Sequence, residues 1–227
     1  MPKSRTLPSR TRANVLRAYR SRGRLNRNLW LVYSLKTNRD WILGSDRHLV
    51  HWILFLETNP DVRSFDIEPT DALPTDGHDD RLNDIDAVVQ LKDGRREYHK
   101  LIFNTSALDQ KEQSAKTPDN SADSSARIFS ETDFESRGDE AMRWLKVLCY
   151  CETIRDELQS DATVAAITIM RGLGRGTIGD VMESLRDFDS EIAKGVVSRM
   201  AVLGDIDLDL SSSGFTLRSS WIWRSGK

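Results

Sequence analysis

The sequence predicts an α/β protein: a mixed sheet with flanking helices, followed by a smaller unit of helices closed by a β-hairpin. Three observations predict it. Residues 84–103 read as two apolar, β-branched strands around Asp93-Gly94, a strong hairpin-turn dipeptide. Residues 45–69, just before them, read as a helix that turns into a strand. From residue 177 onward, two amphipathic helices lead into two short strands around a Ser-Ser-Ser-Gly turn.

Composition sets the bounds. At 227 residues the chain has room for one large or two small domains, and 38% apolar content with six Trp and seven Phe supports a buried core. No apolar run approaches a membrane span and no secretory signal is evident, so no membrane partner is expected. Cys149 and Cys151 lie two apart on an expected helix, point in different directions and are not expected to pair. That predicts a reducing, cytoplasmic compartment. The net charge of -2 hides an asymmetry: residues 1–39 hold eleven Lys or Arg and no Asp or Glu, which leaves the remainder at -13. A basic arm, residues 1–28, is expected to meet an anionic partner, nucleic acid first, or else the acidic body itself. Arginine dominates the arm, and Arg10, Arg12, Arg17, Arg20, Arg22, Arg24 and Arg27 are its candidate phosphate forks.

Each element follows in order. Residues 29–36 and 41–43 are aromatic and β-branched and read as a hairpin around a Thr-Asn-Arg-Asp turn. Ser45-Asp46 starts a helix with Leu49, Trp52, Ile53 and Leu56 on one stripe. Asn59-Pro60-Asp61 stops it, because the residue before proline avoids the α region. Val62, Phe65 and Ile67 then form a strand ended by Pro69. Residues 70–83 are a polar loop, and residues 104–135, without periodicity and rich in Ser, Asp and Asn, are expected to be a long mobile loop. Residues 137–158 form the clearest helix, with Ala141, Trp144, Leu145, Leu148, Cys151 and Ile154 inward. Thr163–Met170 is a short apolar element, and Gly172–Gly176 reads as a turn, too short for a nucleotide loop. Thr177–Leu185 is a helix; Ser190 caps a second over 191–203, which Gly204 closes. Residues 205–210 and 215–223 are strands. Helices followed by a β-hairpin in this order are a winged helix-turn-helix pattern over 159–227. Its expected recognition helix shows Glu191, Lys194, Ser198 and Arg199, and residues 141–227 hold eleven basic and twelve acidic residues. That balance favours protein contact over phosphate binding.

The hairpin of residues 84–103 carries the candidate chemistry. An Asp at the start of one strand, with an acid and a Lys on the next, is the layout of a restriction-type nuclease fold, here over 29–158. Two carboxylates hold a divalent metal that polarises phosphate and acidifies water, and the lysine stabilises charge. Asp86 or Asp84 stands at the strand start; Glu97 and Lys100 stand on its partner. Glu97 and Lys100 are three apart, so alternation sends them to opposite faces, and Tyr98 occupies the position two before the lysine. The helix offers Asp46 at its start and Glu57 at its end, with His48 and His51 between. His48 and His51, with Asp86, form a second candidate set for a transition metal. The Asp-rich stretch 76–86 is a candidate cation-binding loop or a solvated one.

The order Ser45, Leu56-Glu57, Asn59-Pro60-Asp61-Val62, Glu68-Pro69 and the Asp86 strand resembles the amino-terminal domain of the TnsA family, the endonuclease subunit of heteromeric transposases in cut-and-paste bacterial transposons. The basic arm, the first strand pair and a carboxy-terminal winged-helix-like domain fit the same resemblance. It implies a restriction-endonuclease-like fold, Mg²⁺ or Mn²⁺ at an active site, and assembly with transposon-end DNA, a transposase and an AAA+ ATPase regulator. Of the family's catalytic pattern, Asp86 and Lys100 remain. The helix glutamate falls on His48 or Leu49, and Tyr98 stands for the acid or amide before the lysine. The resemblance thus implies Asp86 and Lys100 as catalytic residues, with Asp86, Asp46 and His48 as the metal set and Asp84 or Glu97 as further candidates. It also implies that cleavage is lost or altered. An active nuclease with an atypical site and a non-enzymatic winged-helix regulator of DNA are the other readings the residues leave open.

Overall fold

The computed structural model describes residues 30–43, 47–67, 86–102, 124–130, 132–135 and 137–224, without the side chains of 47, 48 and 124–126. The basic arm and the acidic loop ahead of Asp86 lie outside the described residues, as do Asp46 and Asp84.

The aromatic run at the start pairs as expected: β1 (Trp30–Ser34) and β2 (Arg39–Leu43) are an antiparallel hairpin. Helix α1 (Arg47–Thr58) follows, with Val50, Trp52, Ile53, Leu54 and Leu56 all buried. A helix apolar on most sides must be covered on most sides. Tight Asn59-Pro60-Asp61 then feeds β3 (Val62–Asp66). Strands β4 (Ala87–Leu91) and β5 (Arg96–Ile102) form the Asp93-Gly94 hairpin, with Gly94 at φ +92, a backbone angle that favours glycine.

The expected loop at 104–135 is corrected over its second half. Ser124–Ser130 form β6, which pairs in parallel with β5, and Thr132–Glu135 form a helical turn, α2. The four strands make one mixed sheet in the order β3-β4-β5-β6, in which β4 runs opposite to the other three. Alternation sorts the sheet into two faces. Ala87, Val89, Leu91, His99 and Phe129 turn inward towards α1 and are buried. Val88, Tyr98, Lys100 and Ile128 lie on the other face, where Ile128 is 53% exposed.

Helix α3 (Gly138–Thr153) is the spine of the molecule. It packs against α1 on one side and against α6 (Ser190–Leu203) on the other. Before α6 come α4 (Ser160–Leu173), β7 (Arg175–Thr177) and α5 (Ile178–Ser184). After it come β8 (Ile206–Leu208) and β9 (Ser220–Trp223), which complete an antiparallel sheet in the order β7-β9-β8. The apolar element expected at 163–170 is thus a full 14-residue helix, and the expected turn at 172–176 runs into a strand. A capping box between Thr177 and Asp180 starts α5. Asp189, rather than Ser190, caps α6: its carboxylate accepts from the Glu191 and Ile192 N–H groups.

The C-terminal elements are locked to the larger sheet. Gly195 of α6 lies so close to α3 that a Cβ there would stand 2.8 Å from Ile154 Cγ2 and 3.0 Å from the Tyr150 carbonyl oxygen. Arg143 and Lys146 of α3 donate to the carbonyls of Leu210 and Phe215 at 2.8 and 3.2 Å. Lys92, in the β4–β5 turn, donates to the Leu203 carbonyl at 3.0 Å. No helix among the described residues is long and apolar enough to cross a membrane. Cys149 is exposed and Cys151 buried, and the two do not pair.

Candidate functional site

The geometry of the sheet fixes which candidate side chains meet. Helix α1 turns directly into β3, and β3, β4 and β5 alternate in direction. The first turn of α1, the start of β4 and the end of β5 therefore lie at one end of the sheet. Asp86 precedes β4 there. Its N–H donates to the His99 carbonyl at 2.9 Å, next to the Ala87–His99 register pair, so it stands across from Lys100. The Asp86 carboxylate is exposed and accepts from the Leu101 N–H at 2.6 Å. Two sequence-predicted residues, Asp86 and Lys100, are thus brought together.

Glu97 is not brought to them. It faces α1, as its three-residue offset from Lys100 requires. There it belongs to a chain of hydrogen bonds that begins in the core. Trp52, fully buried, donates its indole N–H to His99 Nδ1 at 3.3 Å. Indole is a donor only, so Nδ1 is the unprotonated nitrogen and Nε2 carries the proton. That Nε2–H donates to Glu97 Oε2 at 3.1 Å, and Arg127 Nη1 donates to the same oxygen at 3.2 Å. The His99 ring also lies 4.8 Å from the ring of Phe129. Burial pushes the His99 pKa down against the pull of Glu97, so the ring is neutral. Burial pushes Glu97 up, but the hydrogen bonds from His99 and Arg127 outweigh it and hold the carboxyl below its ordinary range.

Glu57 has a structural position. It is fully buried, and its carboxylate accepts from Ser34 Oγ at 2.8 Å and from the Leu35 and Lys36 N–H groups at 2.6 and 3.0 Å. It therefore ties the β1–β2 turn to the end of α1. Burial outweighs those hydrogen bonds and raises its pKa. Lys36 Nζ donates to the Leu56 carbonyl at 2.9 Å and to the Asn59 carbonyl, which satisfies the end of α1, and burial pushes this amine down to about 8.

The second metal set is not assembled. His51 is buried on the side of α1 that faces α3, in a small cleft with Phe134, Arg137, Glu140 and Trp144. Asp86 lies on the other side of the sheet. His48 sits in the first turn of α1, at the same end as Asp86, and its side chain is outside the described residues. A divalent cation needs several oxygen ligands. On Asp86's face Lys100 stands across from it, and Asp66 of β3, paired with Val88 two positions further on, adds a second carboxylate. Among the described residues no three or more His, Cys, Asp or Glu side chains group to hold a metal ion, so these residues do not complete a Mg²⁺ or Mn²⁺ cage.

The expected recognition helix is also corrected. Ser198 of α6 is fully buried, not exposed, and Arg199 is turned inward to donate to the Leu158 carbonyl and to Thr163 Oγ1, both at 2.7 Å. Lys194 pairs with Glu191 at 2.7 Å over the Tyr150 ring of α3. Sequence reasoning missed the Trp52–His99–Glu97–Arg127 chain. The two-residue spacing of Glu97 and His99 on a strand was its one local signal, because Arg127 arrives on a strand read as loop. No protein-family model, curated protein or solved structure matches the chain.

Proposed function

We propose that the protein is a TnsA-like component of a DNA transposition machinery: a restriction-endonuclease-like domain fused to a winged helix, binding transposon-end DNA and partner proteins, with cleavage lost or altered. The observation that carries this reading is the order and direction of the sheet. A helix leads into three strands that alternate in direction, and a fourth runs parallel to the third, with Asp86 and Lys100 opposite each other at the end where the helix begins. The helix–strand–helix–helix–strand–strand order of the last elements, with its β7-β9-β8 sheet, supports the winged-helix part.

The positions of the two glutamates support loss of cleavage. Glu97 is bound to His99 and Arg127 on the opposite face, and Glu57 holds the β1–β2 turn. The packing of α6 onto α3 supports a winged helix that meets protein rather than a DNA groove. On this reading the arginine arm supplies the contact with DNA, and a transposase and an AAA+ ATPase are the protein partners. The test is incubation of supercoiled plasmid with the full chain in Mg²⁺ or Mn²⁺, beside Asp86→Ala and Lys100→Ala. No nicking above background is expected from any of the three. Nicking by the parent that Asp86→Ala abolishes would overturn the loss of cleavage. Failure to retain a co-expressed transposase or ATPase would overturn the assembly role.

A further inference from the structure

We propose that α4 is a self-association surface on which a second copy of the chain docks antiparallel, about a two-fold axis. The argument starts from the exposed side of that helix. Asp161, Val164, Thr168 and Arg171 are all exposed, and at 100° per residue they share an arc of about 80°. Val164 is 63% exposed, and Leu158, just before the helix, is 80% exposed. The inward side is fixed by Ala162, Ala166 and Met170, which are buried. The outward side therefore cannot rotate into the protein's own core.

The pattern on this side is complementary to itself. An isologous contact pairs residue i with j and j with i. An axis beside position 166 pairs Asp161 with Arg171 of the second copy, and Arg171 with its Asp161. The same axis sets Val164 against Thr168, twice. It also brings Leu158 over Gly172 and Gly174, where a Cβ would meet nothing within 4 Å. An exposed leucine thus lies across from bare backbone with room for it. Each charge also suits the dipole of its own helix end, but that leaves unexplained why Leu158 and Val164 stand in water. Antiparallel docking accounts for the charges and the apolar side chains together. Arg171 is further positioned by Trp223, whose ring lies 5.3 Å from its guanidinium.

A contact built on one 14-residue helix is small. It falls at the low end of specific interfaces, so a dissociation constant on the order of 10 µM is expected. The test is sedimentation velocity of the full chain from about 1 to about 200 µM, a range chosen to bracket that constant. Asp161→Arg places arginine against Arg171, and Arg171→Asp places aspartate against Asp161. Each should weaken association at least tenfold, roughly the effect of a lost and then repelled charge pair at two symmetric positions. The double variant Asp161→Arg/Arg171→Asp restores both pairs and should return to within about threefold of the parent. All three changes sit on the surface, and the double variant also controls for misfolding. The proposal is overturned if the parent stays monomeric throughout, if either single variant associates like the parent, or if the double variant is no better than the singles. A monomeric parent would leave the surface to a different protein.

Discussion

Gly195→Ala turns the contact between α6 and α3 into a question of sign. In the interior of an ordinary helix this change is stabilising by roughly 0.5–1 kcal/mol, because alanine orders at less entropic cost. At Gly195 the new methyl would lie 2.8 and 3.1 Å from two carbons of the Ile154 side chain and 3.0 Å from the Tyr150 carbonyl oxygen. Ile154 is buried and cannot swing into water, and the carbonyl is backbone. The helices must therefore separate. Overpacking of this kind costs about 1–3 kcal/mol, which leaves a net loss of about 1–2 kcal/mol. In a chain of this length each kcal/mol lowers Tm by about 2–4 °C, so a fall of about 2–8 °C is expected. Thermal melts and urea titrations followed by circular dichroism would read it. An unchanged or raised Tm would mean that α6 is not held against α3, and the case for a winged helix closed to a DNA groove would fall with it.

Three further outcomes follow from the same structure. His99 is held neutral below its ordinary value of 6.5, so below that pH the unfolded chain binds a proton the folded chain does not. Stability should therefore drop as pH falls from about 6.5 and level off below the folded pKa. His99→Gln should flatten that window in pH-dependent urea titrations; an unchanged slope would assign it to another group. Glu57→Ala strips the acceptor from Ser34, Leu35 and Lys36 and should cost about 2–4 kcal/mol, read as a lower urea midpoint. A midpoint within error of the parent would mean the β1–β2 turn holds without it. Deleting residues 1–28 should abolish salt-sensitive binding to duplex DNA in a filter assay, and retained binding would move the phosphate contacts to the body.

Legibility in the sequence tracked how local each signal is. The β4–β5 hairpin and the α1–β3 corner were readable because the turn residues and the apolar period sit within a dozen positions of each other. Strand β6 was not. Its Ser-Ser-Ala-Arg-Ile-Phe-Ser has little alternation, and its partner lies 28 positions earlier, a pairing that only tertiary structure reveals. The opposite facing of Glu97 and Lys100 was readable from a three-residue spacing. The destination of Glu97 was not, since His99 is aimed by Trp52 on one element and Arg127 arrives on another. Polarity misled at Ser198, which reads as a surface residue and is fully buried beside the close crossing at Gly195.

The corrected helix changes where a nucleic acid could be held. A winged helix that reads sequence needs its recognition helix open to a major groove. Here eight residues of α6 are buried, and its two long cations are turned to the protein's own carbonyl, hydroxyl, carboxylate and ring. Residues 141–227 are also balanced in charge, with eleven basic and twelve acidic residues, so no surplus of cations compensates for the closed helix. The charge surplus of the chain lies instead in residues 1–39, at the other end of the sequence from α6 and the β7-β9-β8 sheet. In the proposed reading the two tasks therefore separate. The arm supplies affinity for phosphate without sequence preference, and the body, packed along α3, presents surfaces such as the outward side of α4 to protein.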